Sequence, residues 1–127
     1  MQTDVATENK KIVLELYNEL FIKRNIDSAL KYFRDDFKQH NPFIPDGREA
    51  FMQSFREHIT KFPNHQVEIK RVIAEGDLVM VHARATGGPF GPLAVVNIFR
   101  VQDGQIAEHW DIFQPVPEKP LNDNTMF

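Results

Sequence analysis

His109 and Asp111 stand two residues apart in the stretch Ala107-Glu108-His109-Trp110-Asp111-Ile112-Phe113. In an extended chain that spacing puts both side chains on one face, together with Ala107 and Phe113. A carboxylate beside an imidazole keeps one ring proton in place and favours imidazolium, while apolar surroundings raise the carboxyl pKa. Surroundings that push two pKa values apart divide acid work from base work. The plain alternative is structural, since a strand histidine is often a hydrogen-bonded packing residue and a single aspartate is usually solvated.

Three more polar residues interrupt apolar surroundings. Asn97 shares a face with Val95 and Phe99, where its amide can donate to an enolate-like oxygen. His40 follows Phe37 and precedes a turn, a place from which it can polarise a carbonyl or hold a water. His82 is a further candidate for substrate contact, although its parity with Leu78, Met80 and Arg84 also allows it to face a partner subunit. His40, His82 and His109 lack the HxH or HExxH spacing of a metal site, so neither a metal nor a cofactor is expected.

These residues need elements to position them. Between Glu8 and Lys23, Ile12, Val13, Leu16, Tyr17, Leu20 and Phe21 recur as one helical stripe, with Thr7 as N-cap. Asn25-Ile26-Asp27 breaks that helix and caps a shorter one that turns Ala29, Leu30 and Phe33 inward. Asn41-Pro42 and Asp46-Gly47 mark turns. A third helix over about 48–61 carries Phe51, Phe55 and Ile59 on one side.

After Pro63 the period becomes two. Strands are predicted over 66–74, with Val67, Ile69 and Ile73 on one face, and over 78–86, 93–101 and 106–114. Asp103-Gly104 supplies a tight hairpin turn. Residues 115–127 hold three prolines and no period, and form a C-terminal arm whose apolar Met126 and Phe127 imply docking. Helices followed by a strand meander imply one α+β domain spanning residues 1–127. In the third strand both Leu93, Val95, Phe99 and Val101 and the opposite Ala94, Val96 and Ile98 are apolar. One face can meet the helices, and a second copy of the sheet is the simplest cover for the other, so a homodimer is expected.

Composition agrees with this architecture. A chain of 127 residues, 42% hydrophobic and 26% charged, suits one domain with a real core. Eleven phenylalanines against two tyrosines and one tryptophan favour an apolar cavity wall without polar handles. A net charge of −3 gives no electrostatic case for nucleic acid or an anionic membrane. With no cysteine there is no disulfide, thiolate metal site or cysteine nucleophile, which fits a cytoplasmic setting. The polar start of the chain shows no signal peptide, and no apolar run is long enough to span a membrane.

Four stretches resemble the SnoaL-like polyketide cyclases of the nuclear transport factor 2-like superfamily, with small bacterial SnoaL-like proteins the nearest likeness. They are Gln39-His40-Asn41-Pro42 with Asp46-Gly47 and Phe51; Gly76 to His82; Asn97-Ile98-Phe99-Arg100 with Asp103 to Ile106; and Glu108 to Gln114. The resemblance implies a cone-shaped, curved antiparallel sheet wrapped on three N-terminal helices, usually as a homodimer. It also implies an acid/base aspartate on the last strand, acting at an acidic carbon beside carbonyls, and Asp111 matches it. Many members carry Asp where this chain has Asn97. Limonene epoxide hydrolase has a similar layout, but its middle-strand Arg and Asp fall near Ala83 and Ala85, which argues against that epoxide mechanism.

Residues and resemblance together predict a cofactor-independent acid/base enzyme for a small, largely apolar carbonyl compound, with aldol-type cyclase, isomerase or dehydratase chemistry. Asp111, His109 and His40 are the predicted catalytic residues. Asn97, His82, Phe113, Phe51, Phe55 and Tyr17 are predicted to contact the substrate. A non-catalytic ligand-binding or dimerisation module is the alternative.

Overall fold

A computed structural model describes residues 4–127; the first three residues of the polar N-terminal stretch lie outside the described part. Helix α1 runs Val5–Tyr17 and continues as one widened π-helical turn, Asn18–Ile22. Its N-cap position is Asp4 rather than Thr7. Asn25 caps the short helix α2, Ile26–Ala29, by accepting the Ser28 backbone N–H at 3.1 Å, and a 3₁₀ turn over Leu30–Tyr32 follows. Strand β1, Phe33–Gln39, comes next, then α3, Arg48–Lys61, and strands β2, Gln66–Glu75, β3, Leu78–Thr86, β4, Leu93–Gln102, and β5, Gln105–Pro115.

The five strands form one sheet in the order β1-β5-β4-β3-β2. The β2-β3-β4-β5 run is the expected antiparallel meander. Strand β1 is an addition: it pairs parallel with β5, through Phe33 with Ile106 and Gln39 with His109, so the sheet is mixed rather than purely antiparallel. The Phe33-Arg34-Asp35-Asp36-Phe37 run hides this strand from sequence reading, because charges fill every position between its two core aromatics.

The inner face of the sheet closes on the helices. Val13, Leu16 and Leu20 of α1 and its π turn, Met52 of α3, Phe33 and Phe37 of β1, and Val79, Val81 and Ala83 of β3 share one buried cluster. Phe33, Phe37 and Phe51 meet ring to ring at 5.0 to 5.8 Å and fasten β1 to α3. A bulge between Ile69 and Arg71 reverses the parity of β2. Val72 and Ala74 therefore pack on the core, and Ile73, expected inside, is 61% exposed. At the β4–β5 hairpin Asp103 and Gly104 both have positive φ, 51° and 78°, the backbone that a type I′ turn requires.

The outer face keeps its apolar residues. Leu78, Met80 and Ile112 stand exposed there, and Ile98 and Trp110 are only partly covered. The arm returns across one part of this face: the Phe127 ring stacks on His82 at 6.0 Å, with the Arg84 guanidinium 5.5 Å and the Lys70 ammonium 6.0 Å from its centroid. No described helix is long and apolar enough to cross a membrane.

Candidate active site

Where the sheet curls away from α1 and α3 it leaves a cavity of about 530 Å³. Its walls are mostly aromatic and aliphatic: Phe21, Phe51, Phe55, Phe62, Phe99 and Phe113 among them. The end of α1 and the widened turn after it bring Tyr17, Leu20 and Phe21 to one side, β4 and β5 present Asn97, His109 and Asp111 from the opposite side, and α3 supplies Phe51 and Phe55. Asn97 and Asp111 are directly opposed across the β4–β5 ladder.

The polar groups form two short chains. In the first, Asn41, buried just past the end of β1, donates from Nδ2 to Asp111 Oδ2 at 3.0 Å while its own Oδ1 accepts the Phe43 N–H at 2.9 Å. The carboxyl of Asp111 thus holds one protein donor through Oδ2, and Oδ1 is left for the cavity. Burial raises the Asp111 pKa, and the Asn41 hydrogen bond only partly opposes that rise. The carboxylate is a stronger proton acceptor than a solvated one.

The second chain runs Gln39–His109–Asn97–Tyr17. His109 is 3% exposed; its Nδ1 lies 2.9 Å from Gln39 Oε1 and its Nε2 2.8 Å from Asn97 Oδ1. Burial, and secondarily His40, depress the His109 pKa to about 3, so the ring is neutral at pH 7 and carries one proton. Gln39 Oε1 already accepts the Asn41 N–H at 3.0 Å, which fixes the oxygen end of that amide toward the ring. Both ring nitrogens face amide oxygens, Gln39 Oε1 at Nδ1 and Asn97 Oδ1 at Nε2, so the single proton of the neutral ring donates to one of them at a time. Asn97 presents Oδ1 to His109, which leaves its NH₂ as the donor toward the Tyr17 oxygen and the cavity. Burial raises the Tyr17 pKa, with Asn97 opposing and Asp111 adding to it, so the phenol stays protonated.

These positions correct several expectations. His109 and Asp111 do share the cavity face, but they are not hydrogen-bonded partners: both ring nitrogens of His109 are engaged elsewhere, and burial favours neutral imidazole, not imidazolium. His40 does not line the cavity. It lies on the outer side, stacked on Trp110 at 4.6 Å and bonded through Nε2 to Glu108 at 2.7 Å. His82 is also outside, held between Arg71 and Phe127. Of the predicted contact residues, Asn97, Phe113, Phe51, Phe55 and Tyr17 line the cavity.

Gln39 and Asn41 are the functional neighbours that sequence reasoning passed over. They flank His40, and the parity of β1 would have found the first: Phe33, Phe37 and Gln39 alternate inward, so His40 must point out. Among the described residues no group of three or more His, Cys, Asp or Glu is placed to hold a metal ion.

The sequence profile of the SnoaL-like polyketide cyclases matches residues 11–117, and the chain belongs to that family. None of the curated proteins gives a significant match. Among solved structures, a nuclear transport factor 2-like protein of unknown function from Cytophaga hutchinsonii is 19% identical, with a TM-score of 0.72 over 91% of this chain and 96% of its own. A provisionally assigned SnoaL-like polyketide cyclase from Jannaschia sp. CCS1 is 23% identical, with a TM-score of 0.70 over 89% and 90%. A provisionally assigned ketosteroid isomerase from Kribbella flavida is 19% identical, with a TM-score of 0.74 over 92% and 85%. At these identities the likeness establishes the α+β fold.

Proposed function

We propose that this protein is an acid/base enzyme acting on a small, largely apolar carbonyl compound, with Asp111 as the proton-transferring residue. The observation that carries the reading is the Asp111 carboxyl itself. It stands in an apolar cavity with one amide donor, its proton affinity raised by burial. Membership of the SnoaL-like polyketide cyclases supports the same reading.

In this scheme Asp111 takes a proton from a carbon adjacent to a carbonyl. The C–H electron pair moves into the C–C bond of an enolate, and the charge gathers on the former carbonyl oxygen. The Tyr17 hydroxyl and the second N–H of Asn97 are the donors available to that oxygen. The carboxylic acid then returns the proton to carbon or to a leaving oxygen, which covers isomerisation and dehydration, while attack of the enolate on a second carbonyl gives an aldol-type ring closure. His109 acts as a positioning residue through Asn97.

Deuterium incorporation at the activated carbon of 2-tetralone, an apolar ketone that fits the cavity in size, tests the scheme. The protein is expected to accelerate exchange over buffer, and Asp111→Asn to lower that acceleration by roughly 10²-fold. No acceleration by the native protein would set this reading aside in favour of a non-catalytic ligand-binding module.

A further inference from the structure

The acid/base site occupies one end of the cavity. At the other, where α3 gives way to β2, two histidines line the wall that the mechanism does not use. The rings of His58 and His65 lie edge to face at 4.6 Å, and His65 also meets Phe21 at 5.9 Å. Nδ1 of His65 is buried and has no hydrogen-bond partner. A buried polar atom left unpaired is uncommon and costly, and calls for a bound water or ion, stored strain or a role in chemistry. Both rings border a second cavity of about 620 Å³ beneath the β3–β4 loop, which shares Phe43, Ala85, Leu93 and Phe113 with the first. His58 and His65 thus line both cavities.

We propose that His58 and His65 form a second recognition station, which takes a carboxylate of the ligand whose carbonyl end faces Asp111. The inference rests on the acid/base reading only in placing both groups on one molecule. Cationic charge is in excess at this end. Lys61 and Glu57 of α3 lie on the cavity rim, and the Arg24 guanidinium stands behind the station, donating to the backbone carbonyls of Pro63 at 2.9 Å and His65 at 2.7 Å. From the strands, Val67 and Ala85 bring no titratable group, and Asp111 and His109 face the cavity from β5. Burial lowers the pKa of both histidines, that of His65 to about 4 with His58 and Arg24 contributing. The station by itself is therefore neutral. A carboxylate entering it would restore the protonated form of a ring and receive a charge-assisted hydrogen bond, so binding should take up a proton.

Calorimetry with 2-naphthoate and 2-naphthamide, two probes of one shape, reads this directly. The acid is expected to bind at least about tenfold more tightly than the amide at pH 6, the worth of one charge-assisted hydrogen bond, and to lose that preference by pH 8. In the His58→Phe/His65→Phe double variant the preference should collapse to about one. Equal affinities in the native protein, no naphthoate binding at millimolar concentration, or a preference unchanged in the variant would each overturn the proposal. Histidine NMR titrations of the native protein serve if the variant does not fold: naphthoate must raise the His58 or His65 pKa, and unmoved values overturn the inference. The tetralone exchange does not depend on this pair. Proton-coupled naphthoate binding without exchange would remove the acid/base reading alone, and exchange without naphthoate preference would remove the histidine station alone.

Discussion

Asp111 and His109 lie on one strand face yet answer to pH in opposite senses. The folded-state pKa of Asp111 is raised, so between its unfolded and folded values the native state holds more protons, and stability falls as pH rises through that window. Asp111→Asn removes this penalty while the new amide oxygen still accepts from Asn41. The variant should melt no lower than the native protein at pH 7, and any advantage should shrink below about pH 4, where the native carboxyl is protonated. A lower melting temperature for the variant at pH 7 would mark Asp111 as a structural residue. His109 has a folded pKa of about 3, so the unfolded chain takes its proton first as pH falls below about 6.5. Its contribution is whole above that value and is lost toward pH 3, by up to about 1.4 kcal/mol per pH unit. His65 acts in the same direction. Urea midpoints between pH 7 and pH 4 should show this slope, and His109→Gln should flatten it. Spacing alone made the shared face of His109 and Asp111 legible. The identity of their partners was not, because Gln39 and Asn41 reach them from the end of β1 and the turn after it, about seventy residues earlier.

At the scale of elements, the parts that the sequence spells clearly are those with an uninterrupted period. Helix α3 and strand β3 fall where their apolar spacing puts them. Strand β1 escaped for a physical reason: it lies at a sheet edge, and its Arg34, Asp35 and Asp36 are free to face solvent or pair with other surface charges. The β2 bulge is likewise invisible to a rule of strict alternation. Loops set geometry here as firmly as strands do. Gly87, with φ 81°, begins the β3–β4 loop, and a Cβ at that position would lie 2.3 Å from the Asn64 carbonyl oxygen. That contact and the left-handed backbone both forbid a side chain. Gly87→Ala should cost roughly 1–3 kcal/mol in thermal or urea unfolding. The same substitution at Gly76, where a Cβ would meet nothing within 4 Å, should cost less because only the backbone term remains. Equal losses at the two positions would show that the Gly87–Asn64 approach does not constrain the fold.

For the whole molecule, the sheet has one face committed to the cavity and core and another still apolar. Leu78, Met80 and Ile112 remain at least 41% exposed, while Phe127 and its cationic neighbours cover the region around His82. A patch of this kind is an interface candidate, and a second copy of the sheet is the proposed cover. A stable pairing should bury on the order of 1,500 Å² in total. Sedimentation at micromolar concentration is expected to give a dimer, and Met80→Lys with Ile112→Lys to give a folded monomer. A native protein that sediments as a monomer would rule the pairing out.

The π turn at Asn18–Ile22 bears on how this protein can vary over generations. It amounts to one surplus residue in an otherwise regular helix. Substitutions at exposed positions of that turn, such as the 75% exposed Ile22, leave the helical phase untouched. Removing a single codon there would restore a regular helix and rotate the preceding turns by about 100° relative to the rest of the chain. Leu16 and Tyr17 would swing away from the cavity. The exposed positions of the segment should therefore drift in composition across descendants while buried Leu20, cavity-lining Phe21 and the length stay fixed, and a library of one-residue deletions through it should yield far fewer ligand-binding survivors than a library of point changes at its exposed positions.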